Sequence, residues 1–176
     1  MSTRRMLVRR RIGSRLQNNL VCRTMKYGGY SIMLWGAIKG DGSRVLIKCP
    51  RTLNSSGYQT VLDEGLTPLY DASNIFMQDN APCHKSASTL AYLERKKVCL
   101  LSDWPPQSPD LNIIENLWAQ LKRKVSERFP RNSSELWNFA KEEWYNIHND
   151  AIYKLFDSIP RRLKAVIKNH GRHCKY

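Results

Sequence analysis

The feature that most constrains the fold of this chain is a pair of short apolar segments joined by turn residues. Residues 31–38 form a nearly continuous apolar run, and residues 44–48 form a second one. Between them, Lys39-Gly40-Asp41-Gly42 supplies the small and polar residues that tight turns require. Apolar runs of this length, bounded by turn residues, are typical of strands buried in a sheet. The pattern therefore predicts a hairpin of two buried strands.

Beyond the hairpin, helical and strand-like patterns alternate. Apolar residues recur at helical spacing over 58–70, 85–96 and about 112–127, and short apolar runs that predict strands lie at 74–77 and 98–101. From about 133 to 170 we expect two or three helices, with breaks near Asn149-Asp150 and at 158–160. A chain of 176 residues is long enough for one domain. The order predicts an α/β fold in which helices cover a mixed sheet.

The charge balance indicates a polyanionic partner. The chain has 29 basic and 15 acidic residues, a formal net charge of +14, and 41% hydrophobic residues, which is enough for a core. Lys and Arg gain affinity by displacing counterions from phosphates, so nucleic acid is the first candidate and an anionic membrane surface the second.

No stretch approaches the roughly 18–20 apolar residues that span a bilayer. Five cysteines without CxxC spacing favour a reducing compartment over a disulfide framework or zinc site.

Two groups of basic residues are candidates for contacting phosphates. Residues 1–29 form a basic segment without Asp or Glu, and its run Arg9-Arg10-Arg11 predicts a phosphate-binding arm or a nuclear address. A mitochondrial transit peptide and a solvated arm without a specific role are the alternatives. Lys122, Arg123 and Arg128 lie on the polar side of the predicted helix 112–127, where they could follow phosphates or simply be solvated.

Two carboxylates stand where phosphoryl-transfer chemistry would need them. Asp79 directly follows the predicted strand 74–77, and Glu115 lies in the first turn of the predicted helix 112–127. Ligands collect at the carboxyl edge of open α/β sheets, so a loop and a helix start could bring Glu115 to the same edge as Asp79. Carboxylates so placed could hold two Mg²⁺ ions, which activate the attacking oxygen and stabilise the leaving one.

Each of these acids also has a purely structural interpretation, which spacing alone favours. Asn112 and Glu115 have the spacing of a capping box, and Asp79 could cap the turn before the next helix. His84 could assist at the site, although a lone histidine is more often satisfied locally. Asp103 and Asp110 resemble ordinary loop acids.

Longer motifs carry more information than spacing. Three of them follow one another along the chain: Ser31-Ile32-Met33-Leu34-Trp35-Gly36, then Gln78-Asp79-Asn80-Ala81-Pro82-Cys83-His84, then residues 103–118, which read DWPPQSPDLNIIENLW. They are similar to successive motifs of the Tc/mariner transposases, nematode-type branch. Residues 158–162 and 171–176 are similar to that family's carboxyl end. The resemblance runs in order from about residue 8 to the last residue.

The resemblance implies a fold, a site and a substrate. It implies a ribonuclease-H-like catalytic domain over residues 30–176, with an Asp, Asp, Glu triad that binds two Mg²⁺ or Mn²⁺ ions. By motif, Asp79 corresponds to the second acid and Glu115 to the third. The family cuts DNA at terminal inverted repeats and joins the freed 3′-hydroxyl to a TA target, which implies DNA as partner and the nucleus as compartment. A homodimer is left open.

Two departures from the family pattern change the functional expectation. Ile113 replaces the proline usual in the third motif, which should weaken helix initiation slightly. No Asp or Glu precedes Asp41, so we expect the first strand and its catalytic Asp to be missing. The resulting hypothesis is a partial transposase domain that is inactive alone. The alternatives are an active enzyme that receives the missing Asp from another segment or chain, a non-catalytic nucleic-acid-binding remnant, and a basic protein-interaction module.

Overall fold

The computed structural model describes residues 23–102, 104–105, 108 and 111–170. In this part the chain forms three strands, β1 (Arg23–Tyr27), β2 (Tyr30–Ile38) and β3 (Arg44–Cys49). The helices are α1 (Ser55–Gly65), α2 (Pro82–Lys85), α3 (Ala87–Arg95), α4 (Ile114–Glu127), α5 (Ser133–Tyr145), α6 (Asn149–Asp157) and α7 (Ile159–Lys168). Among these described helices, not one combines the length and the apolar content needed to cross a membrane.

The three strands form one antiparallel sheet in the order β1-β2-β3. The predicted hairpin is confirmed: β2 and β3 pair from Met33 with Cys49 to Ile38 with Arg44. Strand β1, which lies within the segment predicted as a basic arm, pairs with the first half of β2 through a two-residue loop. Gly28 and Gly29 in that loop have φ of 52° and 88°, a left-handed backbone that glycine adopts without strain and that suits a tight hairpin.

Helices cover both faces of the sheet, which explains why β2 is apolar at nearly every position. On one face, Ile32 and Leu34 join a core contributed mainly by α4, α5 and α6. On the opposite face, Trp35 joins a second core contributed mainly by α1 and α3. Side chains alternate between faces along a strand, so consecutive apolar residues of β2 serve different cores.

The two short predicted strands are reduced to a single parallel bridge between Phe76 and Leu100. The Phe76 amide donates to the Cys99 carbonyl oxygen at 2.8 Å, and the Leu101 amide donates to the Phe76 carbonyl oxygen at 2.9 Å. The turn residues that precede and follow limit this pairing: Asn74 bonds back to Asp71, and Lys97 has a left-handed φ of 55°. The fold is thus mixed, with antiparallel strands and a minimal parallel connection.

The helices are confirmed, with shifted boundaries. The predicted helix 58–70 lies at Ser55–Gly65, where the Asn54 side chain accepts a hydrogen bond from the Gly57 amide and caps the start. The predicted helix 85–96 is divided at Ser86, whose extended backbone ends α2 and whose hydroxyl caps α3. The carboxyl-terminal segment forms three helices, and the breaks fall near the predicted residues.

Candidate active site

Asp79 lies between the Phe76 bridge and α2, in a short segment without regular secondary structure. Its Oδ1 accepts a hydrogen bond from the Ala81 amide at 3.1 Å and lies 2.7 Å from Nδ1 of His84. The side chain is 23% exposed. Within the described part of the chain, its Oδ2 makes no hydrogen bond. Asp79 therefore does cap the turn as the structural interpretation predicted, but it uses only one oxygen to do so.

A buried polar network lies behind this carboxylate. His84 is fully buried, and its ring stacks on Tyr58 of α1 with ring centroids 3.9 Å apart. The Tyr58 hydroxyl donates to Oε1 of Gln78 at 2.7 Å, and Nε2 of Gln78 donates to the His84 carbonyl oxygen at 3.3 Å. Burial lowers the pKa of His84, but the Asp79 carboxylate and the Cys83 thiol outweigh it and raise the pKa to about 9.

Glu115 lies in the first turn of α4, where its negative charge is favourable near the positive end of the helix dipole. The capping-box interpretation is wrong for Asn112: the helix begins after Ile113 without a side-chain cap, and the Glu115 amide bonds to the backbone oxygen of Asn112. The Asn112 side chain is buried, and its Oδ1 has no partner among the described residues. Glu115 itself is half-buried.

The segments that carry Asp79 and Glu115 meet at one cavity of about 440 Å³. Residues 74–77, which end two positions before Asp79, and residues 111–114, which directly precede Glu115, both line it. The Asn80 side chain also donates to the Trp104 carbonyl oxygen at 3.1 Å, which joins the end of the short strand to the proline-rich loop. The fold therefore brings the two sequence segments together, although the side chains of Asp79 and Glu115 do not themselves line the cavity.

The donor types of Asp79 and Glu115 fit a hard divalent cation, because Mg²⁺ and Mn²⁺ prefer carboxylate oxygens. Oδ2 of Asp79 is available for such a bond. However, the residues that the structure describes include no group of three or more His, Cys, Asp or Glu side chains placed to hold a metal. Asp103 and Asp110 lie outside the described residues. The described acids therefore fit as part of a metal site that needs further ligands.

The basic candidates fall into different environments. Lys122 and Arg123 are exposed on α4 and, together with Lys26 of β1, border a groove of about 370 Å³. Arg128 instead forms ion pairs with Glu142 and Glu143 of α5, with Nη1 2.6 and 3.2 Å from their oxygens, and is thus engaged in helix packing. Arg9, Arg10 and Arg11 lie outside the described residues.

Sequence reasoning missed three buried polar residues near the site. His84 was considered only as a possible assistant, and Asn112 only as a helix cap. Arg162 of α7 was not singled out, although it is buried and donates to Ser158 and, at 2.9 Å, to Oδ1 of Asn116 beside Glu115. Burial of these side chains depends on contacts between distant segments, and only their place in family-like motifs could have pointed to them.

Comparison with known proteins defines the class to which this chain belongs. The sequence pattern of the DDE superfamily endonuclease family matches residues 4–147, and the chain belongs to that family. It is 36% identical over 173 residues to the Tc1 transposase of Caenorhabditis elegans and 35% identical over 173 residues to the Tcb1 transposase of Caenorhabditis briggsae. Each match covers 96% of this chain but only 63% of the relative. The resemblance to Tc/mariner transposases is thus confirmed.

Solved structures confirm the ribonuclease-H-like fold. The catalytic domain of Mos1 mariner transposase matches 88% of this chain, and 81% of its own, with a TM-score of 0.75 at 19% identity. The Mos1 catalytic domain with raltegravir and Mg matches 87% of this chain, and 82% of its own, with the same TM-score at 20% identity. The Mos1 paired-end complex with the left transposon end matches 98% of this chain, and 52% of its own, with a TM-score of 0.74 at 20% identity.

Proposed function

We propose that this chain is the catalytic domain of a DNA transposase in which Asp79 and Glu115 hold divalent metal for strand cleavage and transfer. The observation that carries the proposal is Asp79, whose Oδ2 makes no hydrogen bond to the described residues, on a segment that meets the residues preceding Glu115 at one cavity. Family membership and the likeness to a Mos1 domain crystallised with Mg support the same assignment. By analogy with the Tc/mariner relatives, the proposed substrate is DNA with terminal inverted repeats, joined at TA in the nucleus.

The proposed chemistry is phosphoryl transfer. Bound divalent ions would activate the attacking oxygen and stabilise the leaving oxygen of the DNA backbone. Asp79 offers Oδ2 while its Oδ1 is held by the Ala81 amide and His84, so the carboxylate has a fixed orientation. Glu115 extends from the first turn of a rigid fourteen-residue helix. Two carboxylates neutralise less of the charge of two divalent ions than three would, so we propose that the 176-residue chain requires a further carboxylate for catalysis.

A cleavage assay tests this proposal. The 176-residue chain is incubated with Mg²⁺ or Mn²⁺ and a labelled duplex that carries a relative's inverted repeat beside TA. We expect salt-dependent binding of the duplex and little nicking, because we propose that Asp79 and Glu115 need a third carboxylate to hold the metal. Metal-dependent nicking that disappears in Asp79→Ala would show that the chain completes its own site and would overturn its inactivity alone. Failure to bind DNA at modest salt would contradict a role on nucleic acid altogether.

The second candidate function is DNA binding without catalysis. The net charge of +14 and the lack of a three-donor cluster among the described residues favour it. In this case the Asp79→Ala variant would bind DNA with the same affinity as the unaltered chain. Adding a segment that supplies a further carboxylate would not produce nicking. Whether the chain forms a homodimer is a separate open question, which sedimentation of the same samples answers.

The exposed cations of α4 provide a separate prediction. Replacing both Lys122 and Arg123 with alanine is expected to weaken duplex binding and to reduce the slope of log affinity against log salt by about 1–2, because each phosphate contact contributes about 0.9 to that slope. The matched control is Lys141→Ala with Lys154→Ala, which removes the same charge from exposed positions on α5 and α6. Equal losses in both double variants would mean that net charge alone, without a defined groove, determines the affinity.

A further inference from the structure

We infer that His84 is a positioning residue, which orients the Asp79 carboxylate so that Oδ2 faces the metal. The inference rests on the proposed function, since it assigns a task within the same site. His84 is fully buried and has no access to a DNA substrate through solvent. Its Nδ1 lies 2.7 Å from Oδ1 of Asp79. An ionised carboxylate only accepts hydrogen bonds, so Nδ1 carries the proton and donates it.

Contacts of both its backbone and its ring hold His84 in place. The backbone amide of His84 donates to the Ala81 carbonyl oxygen at 2.9 Å, and its backbone carbonyl oxygen accepts from Gln78 at 3.3 Å. The His84 ring stacks on the Tyr58 ring, and the two ring planes are inclined by 29°. The Tyr58 hydroxyl donates a hydrogen bond to Oε1 of Gln78 at 2.7 Å. Tyr58 belongs to α1, and Gln78 directly precedes Asp79 in the segment between the Phe76 bridge and α2. His84 is therefore held by two separate parts of the fold, through its ring by Tyr58 and through its backbone by Gln78.

This arrangement divides the work between the two oxygens of Asp79. Oδ1 is occupied by two donors, the Ala81 amide and His84, whereas Oδ2 makes no hydrogen bond within the described part of the chain. A carboxylate held at one oxygen presents the other in a single direction. Hydrogen-bond partners of metal ligands contribute about 10–100-fold to metal affinity, because they remove the freedom that binding would otherwise have to suppress. His84 has the geometry of such a partner.

Three substitutions at position 84 separate the hydrogen bond from packing. His84→Phe keeps a ring on Tyr58 but removes the donor. His84→Asn places an amide nitrogen near the position of Nδ1, while His84→Gln carries the same amide one bond farther out. Mn²⁺ affinity is measured from the electron paramagnetic resonance signal of the free ion, and the thermal midpoint is recorded for each variant. We expect His84→Phe to weaken Mn²⁺ binding about 10–100-fold. His84→Asn should retain more affinity than His84→Gln.

Two further measurements keep the inference distinguishable from the proposed function. In the metal-free chain, the proton on Nδ1 of His84 should give its own ¹H–¹⁵N resonance, which is lost in Asp79→Ala. Unchanged Mn²⁺ affinity in Asp79→Asn would contradict the proposed metal site itself, independently of the results for the His84 variants. If Asp79→Asn loses Mn²⁺ while His84→Phe binds it normally, the positioning role is wrong. If His84→Phe does not fold, equal affinities of His84→Asn and His84→Gln would overturn the inference in the same way.

Discussion

Replacing Asp79 with asparagine is expected to weaken Mn²⁺ binding by more than about tenfold. Removing a hydrogen-bond partner of a metal ligand typically weakens metal binding by about 10–100-fold, and loss of the ligand itself should cost at least the lower of these values. Asparagine keeps the shape of the side chain and can still accept from Ala81 and His84 at Oδ1. It loses the negative charge and places an amide nitrogen, which does not ligate hard cations, where Oδ2 would face the metal. Titration of the 176-residue chain with Mn²⁺, followed by electron paramagnetic resonance, measures the change.

The same titration tests whether Asp79 and Glu115 serve one site. If they hold the same metal, Glu115→Gln weakens binding to a similar degree, and the double variant loses far less than the sum of the two single losses, because the first substitution already removes the site. Glu94→Gln is the matched control, since it neutralises an exposed carboxylate on α3. Fully additive losses would mean that the two acids bind separate ions, and an equal loss in Glu94→Gln would indicate nonspecific attraction of cations.

The fold was predictable where local sequence and tertiary structure favour the same result. The hairpin 31–48 follows from uninterrupted apolar runs around a turn, and the helices follow from apolar periodicity. Strand β1 was missed because its five residues include Arg23 and Lys26, so its sequence lacks the continuous apolar run that marks β2. Such a strand is defined by pairing with β2 rather than by its own composition. The short strands were overestimated for the converse reason, since apolar composition does not ensure a pairing partner.

The candidate site was predictable only in part. Asp79 and Glu115 were found through motifs, since spacing alone favoured their structural roles. The structure separates those roles: Asp79 does cap a turn, but with one oxygen, whereas Asn112 does not cap α4 with its side chain. The network of Tyr58, Gln78 and His84 could not be predicted, because it joins α1 to a segment twenty residues later through buried side chains. Burial of polar groups is a tertiary property, and the sequence pattern does not encode it locally.

The second large effect is expected at the packing of α4 and α5 on the sheet. Trp144 of α5 is fully buried and stacks on Trp118 of α4, with ring centroids 5.0 Å apart. Gly36 of β2 lies under both rings: a Cβ there would stand 2.8 Å from Trp118 and 3.2 Å from Trp144. The absence of a side chain at residue 36 thus allows two tryptophans to approach the strand. The same helix α4 carries Glu115 in its first turn, so this packing also determines where that acid lies.

Trp144→Ala is therefore expected to lower the free energy of unfolding by about 3–5 kcal/mol, because it leaves a cavity between α4, α5 and β2 that the surrounding backbone cannot close. Urea denaturation measures the change. Tyr145→Ala is the matched control, because the side chain of Tyr145, the next residue of α5, is 45% exposed. We expect this variant to lose less than about 1 kcal/mol of unfolding free energy. Trp144→Phe should cost clearly less than alanine, since the ring remains and the removed Nε1 has no partner among the described residues. Equal losses at residues 144 and 145 would show that helix content, rather than packing of the tryptophan pair, stabilises this half of the domain.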